Sequence, residues 1–340
     1  MKSVAPVAAV LVIAVMVHTL LVPLIGPFYG KVIVDIGINA MLAVSLNIVN
    51  GFTGQFSIGH AGFMAIGGYV GAIVTYYGSF AVWGSAAEQG GAGQALFIVG
   101  CLAGGLIAAA FGYIVGLPSL RLRGDYLAIV TLGFGEILRV MLQRSDDVLT
   151  DAVAVREALP FAVITKVGGA LGFTGVPFYT TPLAVYVFCG LTVLVAYRLK
   201  ESTYGRAFLS IRENELAAEA MGVHTTRLKV RAFALAAFFA GIAGVLYAHE
   251  VGVTLTPREL GFQKSFDIVI MVVLGGMGSI SGSVIAAAFL TILPEALRSF
   301  AEYRLIVYAL LLIVVMLSRP QGLFGVRELW DLRKRRGAAT

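Results

Sequence analysis

Glu136 is the residue whose chemistry is most at odds with its setting, a carboxylate inside the apolar run 126–142. It stands roughly 16 Å along a helix counted from Asp125, near the centre of a bilayer. An ionisable group at that depth faces protein or water and needs a partner. Arg139, at i+3, is the candidate. Two roles stay open: a structural ion pair, or a carboxylate of a gate or pathway. Asp125 and Asp267, which stand at the starts of apolar runs, read as helix caps. His18, His224 and His249 have no companions at metal-ligand spacing, and His60 lies in a glycine-rich polar segment. No Ser-His-Asp order, phosphate-binding GxxxxGK[ST] loop or metal cluster stands out. The pattern points away from an intramembrane enzyme. If ATP drives the protein, another chain must bind it.

Two segments share a spacing. Gly51-x-x-Gly54-x-x-Ser57 occurs as GFTGQFS, and Gly275-x-x-Gly278-x-x-Ser281 as GGMGSIS. Each interrupts an apolar run with residues that accept unusual backbone angles. Such breaks in corresponding parts of a transporter free N–H and C=O groups to line a water-filled path. Asn47, Gln55, His60 and Ser279 are the nearby polar side chains that could face a zwitterionic solute. Close helix packing plus a turn is the other reading.

These groups are embedded in a chain made for a membrane. Its 340 residues are 59% hydrophobic and 13% charged, with mean hydropathy +0.89, whereas soluble domains carry about 25% charged residues. Its 41 glycines suit helices whose backbones cross closely. Apolar runs occupy 4–25, 32–49, 58–77, 95–117, 126–142, 181–199, 232–248, 266–274, 280–293 and 303–317. The runs 266–274 and 280–293 are too short to span with ~20 residues, and their glycine-rich junction predicts a broken or tilted pair. The expectation is an all-α polytopic membrane protein with about ten segments, eight or nine being the alternatives. The first run lacks a small-residue cleavage site and reads as an uncleaved helix. Cys101 and Cys189, isolated in apolar runs, read as buried and inert.

Charge sets an orientation. The net +6 resides beside the ends of apolar runs, which fits anionic lipid rather than nucleic acid. The loop 198–231 carries seven Lys and Arg, Arg121 and Arg123 mark another inner turn, and the C-terminal tail is basic. By contrast 143–179 sets Arg144, Arg156 and Lys166 against Asp146, Asp147, Asp151 and Glu157. Enrichment of Lys and Arg in cytoplasmic loops puts the first loop and both termini inside, and 143–180 outside. The external segment reads as a docking surface, a lid, or a loop packed on helix ends. Residues 1–325 form one membrane domain with a cytoplasmic loop at 200–231, and 326–340 a basic cytoplasmic tail.

The stretch 205–222, GRAFLSIRENELAAEAMG, places a polar helix where the chain need only turn. Ser210-Ile-Arg-Glu213 reads as a capping box that opens it, and Gly222 as the left-handed residue after its end. Arg212, Glu215 and Glu219 then share one ridge, with Ala220 completing EAMG. Such a helix is built to be gripped by a cytoplasmic partner.

EAMG is similar to the EAA-type loop of ATP-binding cassette importer permeases. Together with AFFAGIAGVLYA, MVVLGGMGSISGSVIAA, SRPQGLFG, GFTGQFSIGHAGFMAIGGY and GDYLAIVTLGFGEILR, it makes most of 32–325 resemble branched-chain amino acid permeases of the LivM type. The resemblance implies a permease subunit of the bacterial inner membrane working by alternating access. It implies a second homologous permease, two cytoplasmic ATPase subunits that hold ATP and magnesium, and a periplasmic solute-binding protein, with no cofactor or metal on this chain. Ser210, Arg212, Glu213, Glu215, Glu219, Ala220 and Gly222 would couple to the ATPase. Asn47, Gly54, Gln55, Ser57, His60, Glu136, Gly275, Gly278 and Ser279 are the candidates for the solute path. Relatives of this architecture also serve urea, short amides and other small solutes. An ion-coupled secondary transporter is the alternative from another class.

Overall fold

The computed structural model describes residues 5–85, 90–119, 125–158, 161–250 and 254–300, with single positions between 306 and 328. Its longer helices are α1 (Ala5–Met16), α2 (Pro27–Asn47), α3 (His60–Trp83), α4 (Gly90–Ser119), α5 (Asp125–Gln143), α6 (Ala152–Ala158) and α7 (Pro182–Glu201). Then come α8 (Thr203–Glu213), α9 (Glu215–Ala220), α10 (Thr225–Ala248), α11 (Phe262–Gly275) and α12 (Ile280–Ala296). Among the described residues the β structure amounts to an isolated bridge, Phe173 to Leu255.

Among the described residues six helices are long and apolar enough to cross a membrane: Phe28–Phe52, His60–Trp83, Gly90–Leu117, Tyr126–Gln143, Pro182–Glu201 and Thr225–Ala248. The chain is an all-α, multi-pass membrane protein. The runs at 4–25 and 280–293 appear as the shorter apolar helices Val10–Leu21 and Ile280–Ala296. Most of 303–317, Arg121, Arg123, the Asp125 side chain and the end of the basic tail lie outside the described residues. The expected broken pair is present, as α11 and α12 stop and restart at Gly276–Ser279.

The helices gather into two compact units. One comprises Met1–Phe56, Pro182–Ala232 and Asp267–Thr340. Its centre is α2, packed against α12 and α7, with Met41, Leu42 and Ala43 fully buried. Lipid offers no hydrogen bonds, so polar groups here find protein partners. Asn39 Nδ2 donates to Thr291 Oγ1 at 3.0 Å, and the Tyr186 hydroxyl to the Ile33 carbonyl at 3.0 Å.

The other unit comprises Ser57–Thr181 and Phe233–Phe266. In it α3 packs against α4 and α5. Glycine lets α3 meet α10 backbone to backbone, since a Cβ on Gly67 would overlap the Gly241 carbonyl. The extramembrane segment after α5 is fastened to the end of α3. The Tyr77 hydroxyl donates to the Lys166 carbonyl at 2.5 Å and accepts from the Leu149 N–H at 3.2 Å. Lys166 also pairs with Asp146 at 2.9 Å. Of the three readings of this segment, packing on the helix ends is the one its contacts display, while Phe161, Ile164 and Leu171 remain exposed on it.

The polar stretch 205–222 departs from its expected form. Ser210 opens no helix: it lies inside α8, where its hydroxyl donates to the Ala207 carbonyl at 2.8 Å. The caps belong to Ser202, which accepts from the Gly205 N–H, and to Asn214, which accepts from the Ala217 N–H at 3.1 Å. Asn214 adopts an extended backbone and splits the segment into α8 and α9. The physical reason is local competition, because short polar side chains cap wherever their own backbone leaves the helix. With the axis broken, Arg212 and Glu215 share no helical ridge. The end is as expected. Gly222 has φ +84°, its N–H donates to the Glu219 carbonyl, and the Val223 N–H donates to the Ala218 carbonyl. Both bonds of the left-handed helix-terminating motif are made.

Candidate functional site

The α8–α9 elbow holds its charges by bonding them inward. Glu215 pairs with the buried Lys229 of α10 at 2.5 Å, and Glu219 accepts from the Thr225 hydroxyl at 2.5 Å. Phe208 and Ile211 anchor α8 in the unit's interior. The elbow also presents two large apolar side chains outward: Leu216 is 62% exposed and Met221 84%. Glu213, Asn214 and Ala220 are exposed with them.

Arg212 reaches from the elbow into both glycine-rich segments. Its Nη1 donates to the Gly51 carbonyl at 2.8 Å and approaches the Met277 carbonyl at 3.5 Å. The two segments also touch each other. Asn47 donates from Nδ2 to the Ser279 carbonyl at 2.9 Å and accepts the Gly278 N–H on Oδ1 at 2.8 Å. A Cβ on Gly51 would overlap the Asn47 amide oxygen and the Gly278 nitrogen. The second glycines of the two motifs adopt the same hand, Gly54 at φ +71° and Gly278 at +94°. Thus the shared spacing places a left-handed glycine at the fourth position of each motif.

The remaining candidates divide. Asn47, Gly278 and Ser279 belong to this junction, and the Ser279 hydroxyl caps α12 by accepting the Gly282 N–H at 3.1 Å. Gly275 packs on Gly282, where a Cβ would meet the Gly282 carbonyl group. Gln55 is buried, and its amide oxygen lacks a hydrogen-bond partner among the described residues. In the other unit Ser57 and His60 are buried near the start of α3. There Thr131 Oγ1 accepts the Ile58 N–H at 3.1 Å, and Ser265 Oγ accepts the Ala61 N–H at 3.2 Å. Glu136 takes the partner its spacing suggested, with Oε2 receiving Arg139 Nε at 2.7 Å. Its Oε1 accepts the N–H of Phe262, the first residue of α11, at 3.0 Å. Both carboxylate oxygens are engaged inside that unit.

Two residues that sequence reasoning did not single out complete the junction. Lys200, in the last turn of α7, donates to the Gly278 carbonyl at 2.7 Å and to Glu328 at 2.5 Å. Glu328, 2% exposed, accepts the N–H groups of Ile280 and Ser281, each at 3.0 Å, and the Ser281 hydroxyl at 2.6 Å. Burial pushes its carboxyl up, but the Lys200, Ser281 and backbone donors outweigh burial and hold it below its ordinary value. The sequence signal was slight: Glu328 is one of two acids, with Asp331, in a segment dominated by Arg and Lys.

A family model described as the permease component of branched-chain amino acid transport systems matches residues 28–316. The chain is 35% identical over 300 residues to the high-affinity branched-chain amino acid transport permease LivM of Salmonella typhimurium, covering 83% of this chain and 67% of that one. It is 34% identical over 316 residues to LivM of Escherichia coli, covering 88% and 70%. It is 27% identical over 294 residues to the companion-named permease LivH of Escherichia coli, covering 85% and 92%. No solved structure matches.

Proposed function

The chain belongs to the family of branched-chain amino acid transport permeases, and we propose that it is the membrane subunit of an ATP-binding cassette importer for branched-chain or closely related amino acids. The names of its relatives favour this cargo over urea or short amides. Its working surroundings are the bacterial inner membrane, with the elbow in the cytoplasm. About ten segments cross the membrane, counting the shorter helices and the run 303–317. A second, homologous permease pairs with it, a reading supported by its likeness to both LivM and LivH. Two ATPase subunits bind ATP and magnesium, and a periplasmic binding protein delivers the solute. The exposed Phe161, Ile164 and Leu171 on the external segment suit that delivery surface.

The observation that carries the mechanism is the α8–α9 elbow, capped at both of its helix starts, with Glu215 and Glu219 bonded inward and Leu216 and Met221 facing out. In this reading the ATPase pair closes on ATP and grips Leu216 and Met221. The elbow moves with it, and Arg212 carries the displacement to the Gly51 and Met277 carbonyls where α2 ends and α11 meets α12. Bistable packing at those glycine-rich breaks opens the solute path alternately to each side. Gln55, with its unused buried oxygen, is our choice for solute contact, whereas Glu136 serves the scaffold.

The test is Leu216→Asp combined with Met221→Asp. Burying an apolar anchor of this size is worth about 1.5–3 kcal/mol, so co-purification of the ATPase subunits should fall at least about tenfold while membrane insertion persists. Undiminished co-purification and uptake would remove the elbow from the ATPase interface.

A further inference from the structure

Three described positions near the C-terminus, Gly322, Gly325 and Glu328, lie against the turn between α11 and α12. Gly322 and Gly325 have left-handed backbones, at φ +81° and +59°. A Cβ on Gly276 would overlap the Gly325 carbonyl, and one on Gly322 would come 2.5 Å from the Gly276 nitrogen. Backbone therefore lies directly on backbone at the turn between α11 and α12. Three residues past Gly325, Glu328 supplies an anion to the start of α12. There it answers unsatisfied N–H groups and the positive end of the helix. Its Oε2 also lies 3.3 Å from the Ser279 hydroxyl. The same carboxylate takes the Lys200 ammonium, which in turn holds the Gly278 carbonyl.

We propose that Glu328 is a positioning residue for transport, its carboxylate binding the C-terminal segment, Lys200 and the start of α12 into one rigid joint beneath the α8–α9 elbow. The inference rests on the importer reading and extends it. An exposed ion pair would carry no such role, because water replaces its partners at little cost. A carboxylate 2% exposed, with donors from two side chains and two backbone groups besides the nearby Ser279, has no such substitute. Its bonds also sit at one point of a chain of contacts. Lys200 and Asn47 both hold Gly278, and Arg212 holds Gly51 and approaches Met277. If the start of α12 slackens, movement of Arg212 is absorbed at the turn 276–279 before reaching the membrane helices. The consequence is lost coupling: ATP is hydrolysed but less solute moves.

The experiment uses the complete complex in proteoliposomes, with the binding protein and leucine, measuring leucine imported per ATP hydrolysed. Glu328→Gln keeps the shape and one acceptor but leaves the Lys200 ammonium unneutralised. The ratio should fall at least about tenfold, a conservative share of what removing one member of a largely buried charge pair costs. Adding Lys200→Met, which removes the stranded cation, should recover part of the loss. An unchanged ratio in Glu328→Gln overturns the proposal, as does an equal fall in uptake and hydrolysis that Lys200→Met does not relieve. Should Glu328→Gln fail to assemble, the ratio is read on the double variant, which must fall below the unsubstituted complex; failure of both to assemble makes Glu328 a folding element and also overturns the proposal. Failure of the importer reading is separate, since the unsubstituted complex would then show no ATP-dependent uptake.

Discussion

Glu136 has a partner for each of its carboxylate oxygens, which is the basis for proposing that it serves the scaffold. Arg139 neutralises one oxygen and the first N–H of α11 occupies the other. Glu136→Gln removes the charge but keeps an oxygen for Phe262, whereas Glu136→Ala removes both. Loss of a helix-capping acceptor costs ~1 kcal/mol, so Glu136→Ala should lower thermal stability more than Glu136→Gln. Arg139→Gln added to Glu136→Gln should return part of the stability, with near-normal uptake. A stable Glu136→Gln complex that assembles but does not transport, unrelieved at Arg139, would move Glu136 to the path. This pair was legible in the sequence because its members are three residues apart on one helix face. Lys200 and Glu328, separated by 128 residues, were not. Nothing local marks a long-range partner, and the surrounding basic residues made the acid look like one more solvated charge.

At the scale of elements, the glycine-rich breaks were readable from spacing, and their partnership was not. Seven-residue motifs do not state which backbone they will touch, and Asn47 meets Gly278 from the other end of the chain. Gly51→Ala tests that closeness. A Cβ there would overlap the Asn47 amide and the Gly278 nitrogen, and overpacking of a tight site costs about 1–3 kcal/mol. Thermal unfolding of the purified protein should shift down accordingly. Gly133→Ala is the contrast, because nothing lies within 4 Å of a Cβ at Gly133, and a helical Gly-to-Ala change adds up to about 1 kcal/mol of helix propensity. Equal destabilisation by both would argue against the close approach at Gly51. The elbow carries the converse lesson. Ser210 and Glu213 fit a capping pattern, but Ser202 and Asn214 fit one too. Local competition offers both sets of caps, and burial of Phe208 and Ile211 on α8 accompanies the one adopted.

Across the whole molecule, hydropathy and the distribution of glycine made a multi-pass helical membrane protein readable from composition alone. The number of crossings was less so, because α1, α11 and α12 are short and apolar length does not separate a full span from a partial one. The division into two compact units was hidden as well, since each draws its helices from distant parts of the chain. The proposed function makes one central claim, that a separate ATPase drives solute through this permease. The most direct measurement is uptake of leucine, isoleucine and valine into proteoliposomes. These carry this chain with its homologous permease and ATPase partners, and receive solute-loaded binding protein. The account predicts accumulation that requires ATP and magnesium on the side of the α8–α9 elbow and persists when proton and sodium gradients are collapsed. Uptake that proceeds without ATP and follows an ion gradient would contradict it.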